Sequence, residues 1–213
     1  MKLFKITLAL GVELFMVGMV VASQAADHEP TKGQTSSVTP VSNVNLNQYM
    51  GTWYEIGTIP MFFQRMCIQN TQAKYTLLKN GQVQVINQCQ KKDASLAKVE
   101  GRAKVVNAPQ NSKLKVTFLN FFGYQFFASG DYWVIDLASD YRYAVVGHPS
   151  RKYGWILSRT QTLRPDDLSA IRTNLKNQNY DPCRFLMTPQ QEASNVTFSI
   201  PNPPKKLCEL TLP

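Results

Sequence analysis

From Lys98 to Val105 the chain alternates, with Lys98, Glu100, Arg102 and Lys104 on one face and Val99, Gly101, Ala103 and Val105 on the other. A period of two belongs to a strand with one face buried and one in water. The same period recurs in Lys113 to Phe118, where Leu114, Val116 and Phe118 oppose Lys113, Lys115 and Thr117, and in Gln82 to Val85, where Val83 and Val85 oppose glutamines. Ala73, Tyr75 and Leu77 share a face just before Asn80-Gly81, a dipeptide that favours the turn of a tight hairpin. Further strand-like runs are Trp53 to Ile59, Ser129 to Leu137, Tyr141 to Gly147 and Tyr153 to Arg159. Eight strands at short, regular spacing predict an all-β fold, an eight-stranded antiparallel up-and-down barrel.

One helical period interrupts the strands. Pro165, Asp166 and Asp167 suit a first turn, and Leu168, Ile171 and Leu175 then fall on one side, so a C-terminal helix should pack on the outside of the barrel wall.

The ends read differently. Residues 1–25 have the form of a secretory signal: Lys2 and Lys5, then an apolar stretch from Ile6 to Val21, then the small-x-small site Ser23-Gln24-Ala25. Glu13 within that stretch favours a cleaved signal over a retained span. No cysteine follows it to carry an N-terminal lipid. Residues 26–43 are polar and without hydrophobic period, which predicts a disordered lead, and residues 191–213 form a proline-rich tail. Residues 44–190 are one domain's worth of patterned sequence.

Composition narrows the class. Of 213 residues 44% are hydrophobic and 11 are glycine, which excludes a disordered chain and a collagen. Two histidines are too few for most metal-histidine sites, and neither a metal nor a cofactor is expected. The formal net charge is +9, and +8 remains without residues 1–25, so anionic partners are expected. Four cysteines staple a fold that burial already makes.

Four motifs then appear in a fixed order: Gly51-Thr52-Trp53-Tyr54 with Glu55-Ile56, Gly130-Asp131-Tyr132-Trp133-Val134-Ile135, Ser139-Asp140-Tyr141, and Trp155-Ile156-Leu157-Ser158-Arg159. Over roughly residues 45–190 the chain resembles the lipocalins, in their bacterial outer-membrane and apolipoprotein D branch. That resemblance implies that Gly51, Trp53 and Arg159 are structural, the tryptophan lying across the closed end of the barrel and the arginine stacking on it. The chain departs from the branch in lacking the lipidated cysteine of many bacterial members and in its longer tail.

If the first strand starts at the closed end, the mouth is formed by residues 60–70, 90–97, 119–127 and 148–153. These hold Phe62, Phe63, Phe121 and Phe122 among apolar residues, with Arg65, Lys91, Lys92, Arg151 and Lys152 against a single acid, Asp93. A greasy, cationic mouth suits transient contact with an anionic membrane surface, unless the phenylalanines turn inward over the cavity. The inward faces would bring Tyr75, Val85, Ala103, Val116, Phe118, Tyr132, Val134, Tyr143, Val145, Tyr153, Trp155 and Leu157 around a ligand. Small Gly101 and Ala103 favour an open cavity, and Tyr132, Tyr143 and Arg151 are candidates for contact with a carboxylate or phosphate.

Strand counting brings Cys67 and Cys89 together at the mouth and leaves Cys183 to tie Cys208 of the tail to the end of the helix. The resemblance to apolipoprotein D implies an alternative, Cys67 with Cys208.

No GxSxG, HExxH, glycine-rich phosphate loop or CxxC occurs. His148 lies in a Gly-His-Pro turn, where a catalytic pair would need Asp136, Asp140 or Glu55 beside it, yet Asp140 and Glu55 belong away from the mouth. Glu55 points inward and reads as a hydrogen-bonded structural carboxyl. The expected function is that of a carrier, not an enzyme, for a fatty acid or lysophospholipid, acting as a monomer or weak dimer. A tight calyx has no groove for a strand of nucleic acid. The expected location is the periplasm, beside the outer membrane without a lipid anchor, or the medium. A lipid-acting enzyme and a binder of a retinoid-like pigment or haem are the alternatives.

Overall fold

Eight antiparallel strands follow one another around a ring in the computed structural model, which describes residues 37–190 and 204–212. They are β1 (Gly51–Thr58), β2 (Gln69–Leu77), β3 (Val83–Gln90), β4 (Leu96–Val105), β5 (Lys113–Thr117), β6 (Gly130–Leu137), β7 (Tyr143–Gly147) and β8 (Gly154–Ser158), with a one-turn helix α1 (Leu46–Tyr49) just before β1. Because β1 pairs with both β2 and β8, the sheet closes on itself. A two-residue β9 (Leu186–Met187) adds to β1 from outside. The signal read at residues 1–25 lies outside the described residues, as do residues 26–36 and 191–203.

The wall has two cores. Inside, Trp53, Ala73, Val83, Val85, Leu114, Val134, Ala144 and Val146 pack together toward the closed end. Outside, Leu168, Ile171 and Leu175 of helix α2 (Pro165–Asn177) are fully buried against Ile56, Ile135, Val145 and Ile156 of the wall and against Phe185 and Leu207. Asp167 clasps this helix to the turn before β7, with its carboxylate 2.7 Å from Arg142 Nη2 and 3.0 Å from Arg164 Nε. Those two guanidiniums, Arg142 first, hold the Asp167 carboxyl down at about 2.

Three features of the ends differ from the sequence expectation. The lead is ordered from residue 37: Val38 is buried in the outer core, the Val41 amide donates to the Val134 carbonyl, and Thr39 exchanges hydrogen bonds with the Gln178 side chain after α2. Valines spaced through a polar stretch were enough to anchor it. A single helical turn, Leu46–Tyr49, forms because the Asn45 side chain accepts from the Asn47 and Gln48 amides. The tail returns to the barrel, burying Leu207 and Leu210 and pairing Lys206 with Leu186.

The disulfides join Cys67 to Cys89 and Cys183 to Cys208, which removes the Cys67–Cys208 alternative. The first ties the start of β2 to β3 at the mouth, and the second holds the tail beside β9.

The seam between β1 and β2 is incomplete. Their pairing stops at Tyr54 and Gln72, and above that level β1 pairs with β9 and with the segment after it instead. Thr188 N–H donates to the Ile56 carbonyl, Asn70 N–H to the Pro189 carbonyl, and Gln190 Nε2 to both the Glu55 and Thr71 carbonyls. Residues 186–190 therefore stitch the upper wall.

Candidate functional site

The closed end is a stack. The Trp53 indole is fully buried and donates through Nε1 to the Tyr49 carbonyl at 2.8 Å. Arg159 lies 3.8 Å from the centre of its ring and donates to the Thr52 and Gln48 carbonyls. Gly51 has φ +97°, and a Cβ there would stand 3.3 Å from Arg159 Nη1, so the glycine gives both the backbone shape and the room.

Above this floor the barrel encloses a cavity of about 660 Å³. Tyr75, Val85, Ala103, Val116, Phe118, Tyr132, Trp155 and Leu157 line it. Four residues grouped with them do not. Tyr143 and Val145 face outward into the core under α2, because both faces of β7 are buried and its apolar run carries no alternation. Val134 packs beneath the cavity in the inner core. Tyr153 lies at the rim, its ring edge-on to His148 at 5.3 Å and its carbonyl accepting from the Tyr180 hydroxyl.

Ala103 contributes open space, whereas the space at Gly101 is already taken. A Cβ on Gly101 would meet the Phe118 ring at 2.7 Å, so the glycine seats that ring against the wall.

The cavity wall is mostly apolar, and two polar groups stand out within it. At its base the Tyr132 hydroxyl lies 2.8 Å from that of Tyr49 and 3.1 Å from that of Tyr75. Burial raises all three phenols, Tyr75 to about 12, so they remain neutral. Higher in the wall is the Glu55 carboxyl, 4% exposed. Its Oε1 accepts from the Thr188 hydroxyl at 2.6 Å and its Oε2 from Gln64 Nε2 at 2.8 Å. Burial raises its pKa, and these two hydrogen bonds oppose the shift. Gln64 belongs to the 3₁₀ turn Phe62–Gln64 of the mouth, so Glu55 is nearer the mouth than strand counting places it.

At the open end the aromatic residues divide. Phe63 and Met66 border the cavity, while Phe62, Phe121, Phe122 and Phe127 project outward, Phe122 at 95% and Phe127 at 86% exposure. Tyr124 and Phe126 turn back over the outer wall beneath Arg102 and Lys104. Arg65, Lys92 and Lys152 are exposed, and Lys91 pairs with Asp93 at 3.6 Å. Arg151 is a correction: in the left-handed region at φ +55°, it directs Nε to the Gln178 carbonyl beyond α2 and does not line the cavity. Of the three polar contacts proposed from sequence, Tyr132 alone borders the cavity.

The rim also holds charges that sequence reading missed. Lys98 lines the opening, and Asp131 lines it as a second mouth acid, 2.9 Å from Lys115 and 3.8 Å from His148 Nε2. His148 Nδ1 accepts from the Ser150 backbone N–H at 3.1 Å and lies 2.8 Å from its hydroxyl, which closes the turn. Desolvation lowers the His148 pKa.

A closed antiparallel barrel, plugged at one end and hollow above the plug, defines a small calyx protein built to enclose an apolar guest. Known proteins agree. The lipocalin-like domain model matches residues 44–190, and the chain belongs to the lipocalin family, whose members bind small hydrophobic ligands. It is 34% identical over 167 residues to temperature-induced lipocalin-1 of Arabidopsis thaliana, covering 78% of this chain and 89% of the relative. Apolipoprotein D of Macaca fascicularis is 34% identical over 168 residues, covering 75% and 84%. Outer membrane lipoprotein Blc of Vibrio cholerae is 34% identical over 161 residues, covering 75% and 90%. The fold is shared with insecticyanin from the tobacco hornworm Manduca sexta, at TM-score 0.60 and 22% identity over 76% of this chain and 89% of that one.

Proposed function

We propose that the protein carries a fatty acid or lysophospholipid in its calyx, without chemical turnover, and exchanges it at a membrane surface. The observation that carries this reading is the cavity itself. Its 660 Å³ fall within the roughly 300–1,000 Å³ of small-molecule sites, and its wall is mostly aliphatic and aromatic. Burying on the order of ten methylenes at ~0.8 kcal/mol each supplies roughly 8 kcal/mol, enough for micromolar affinity once the head group offsets the cost of association. The two disulfides suit an oxidising compartment, which supports export to the periplasm or the medium. The relatives' names, an outer membrane lipoprotein and an apolipoprotein, fit a lipid guest.

Native mass spectrometry of protein purified without delipidation tests the guest. An added mass matching a single-chain lipid is expected, and a pigment or haem mass would overturn the reading.

The mouth supports membrane contact separately. Four phenylalanines outside the cavity, with Arg65, Lys92 and Lys152 exposed among the mouth loops, fit rings at head-group depth and cations on phosphates. Co-sedimentation with vesicles of anionic phospholipid should be strong for the wild type and nearly lost for a Phe122→Asp, Phe127→Asp double variant of unchanged melting temperature. Equal sedimentation of both proteins would sink the membrane-contact reading.

A further inference from the structure

Among the described residues two acidic side chains are buried, Glu55 and Asp167, and they are treated in opposite ways. Asp167 has two guanidiniums on its oxygens. Glu55 has no cation: its partners are the neutral Thr188 hydroxyl and Gln64 amide. A carboxyl in an apolar wall is ordinarily paired, because its desolvation is otherwise uncompensated. Here the neutral groups orient the carboxyl at the edge of the cavity and leave its charge unmatched.

A second atom in the same wall is also unmatched. Asn87, on the inward face of β3, borders the cavity, and its Oδ1 is buried with no hydrogen-bond partner. Both groups are acceptors, and they stand on the β1 and β3 sides of β2. The three tyrosine hydroxyls at the base already bond to one another.

We propose that Glu55 and Asn87 form a subsite for the protonated primary amine of an amphiphilic ligand, that of an ethanolamine lysophospholipid. This rests on the carrier reading and narrows it. A primary ammonium supplies the missing charge to Glu55 and carries N–H donors for Asn87, which a quaternary ammonium lacks. A fatty-acid carboxylate supplies neither and would meet Glu55 as a like charge.

The test uses the delipidated full chain and three ligands sharing one oleoyl chain: lysophosphatidylethanolamine, lysophosphatidylglycerol and oleate, read by titration calorimetry. The wild type should bind the ethanolamine form about tenfold more tightly than the glycerol form, the factor expected of one charge-assisted contact. Glu55→Gln should erase that preference, bringing the ethanolamine and glycerol forms within about twofold of each other, whereas loss of a merely structural clasp would weaken both alike and keep their ratio. Equal affinities in the wild type, or a uniform loss in Glu55→Gln, would overturn the subsite, and the wild-type comparison stands even if the variant does not fold. Binding of lysophosphatidylglycerol and oleate without head-group preference leaves the carrier reading intact. Binding of none of the three removes it, and the subsite with it.

Discussion

Trp53→Ala should cost ~3–5 kcal/mol of stability, as truncating a fully buried large aromatic residue does, and lower the melting temperature by roughly 10 °C for a chain of this size. The loss has three parts. The indole fills the closed end among Val44, Val134 and Ala144, so alanine leaves a cavity in the inner core. The Tyr49 carbonyl loses the Nε1 donor that holds the Leu46–Tyr49 turn over the strands. Arg159 loses the ring on which it stacks, while its guanidinium still bridges the Thr52 and Gln48 carbonyls. Arg159→Ala removes the smaller part, on the order of 1–3 kcal/mol, because its guanidinium is partly solvated. Circular dichroism melts of both variants check this, and unchanged melting in both would contradict a load carried by the plug.

Ala103→Trp should abolish ligand binding with little change in stability. Ala103 is buried in β4, opposite Val83 on one side and Val116 on the other, with its side chain on the cavity. An indole there grows into empty space and occupies the volume that an acyl chain would need. A loss of about a hundredfold or more in affinity is expected, with a melting temperature equal to or above that of the wild type. A fluorescent fatty acid reads the binding. Wild-type affinity in this variant would place the guest outside the calyx and remove the basis of the carrier reading.

The barrel was legible where one face of a strand meets water. Strands β3, β4 and β5 alternate cleanly, and Asn80-Gly81 joins β2 to β3. The period failed where both faces are covered. All five residues of β7 are buried, one set by the barrel interior and the other by α2, so Tyr143 and Val145 read as inward when they are the floor under the helix. A register shift between Val134 and Asp136 further blurs the facing of β6.

The site was legible as a lining and opaque as a set of charges. Apolar positions on the strands announce a cavity wall, but the partners of Glu55 are set by tertiary folding, one of them 133 positions away at Thr188. Arg151 carries the right charge in the right loop, yet its left-handed backbone and the carbonyl of Gln178 turn it away. Asp131 belongs to one of the family motifs, and its place at the rim follows only from strand pairing, which sets it opposite Lys115 on the neighbouring strand.

The stitched seam has a consequence for how the molecule comes into being. Strands β1 to β8 can pair once residue 158 is available, but the upper wall between β1 and β2 has no hydrogen-bonded cover until residues 186–190 arrive, with Gln190 reaching back 135 positions to Glu55. Without those residues the calyx would have a slit down one side. Closing that slit needs contacts far apart in sequence, which form slowly. In the finished vessel the segment that shuts the seam also supplies, through Thr188, the hydroxyl on one oxygen of the Glu55 carboxyl, so completion of the wall and half of the positioning of that group are one event.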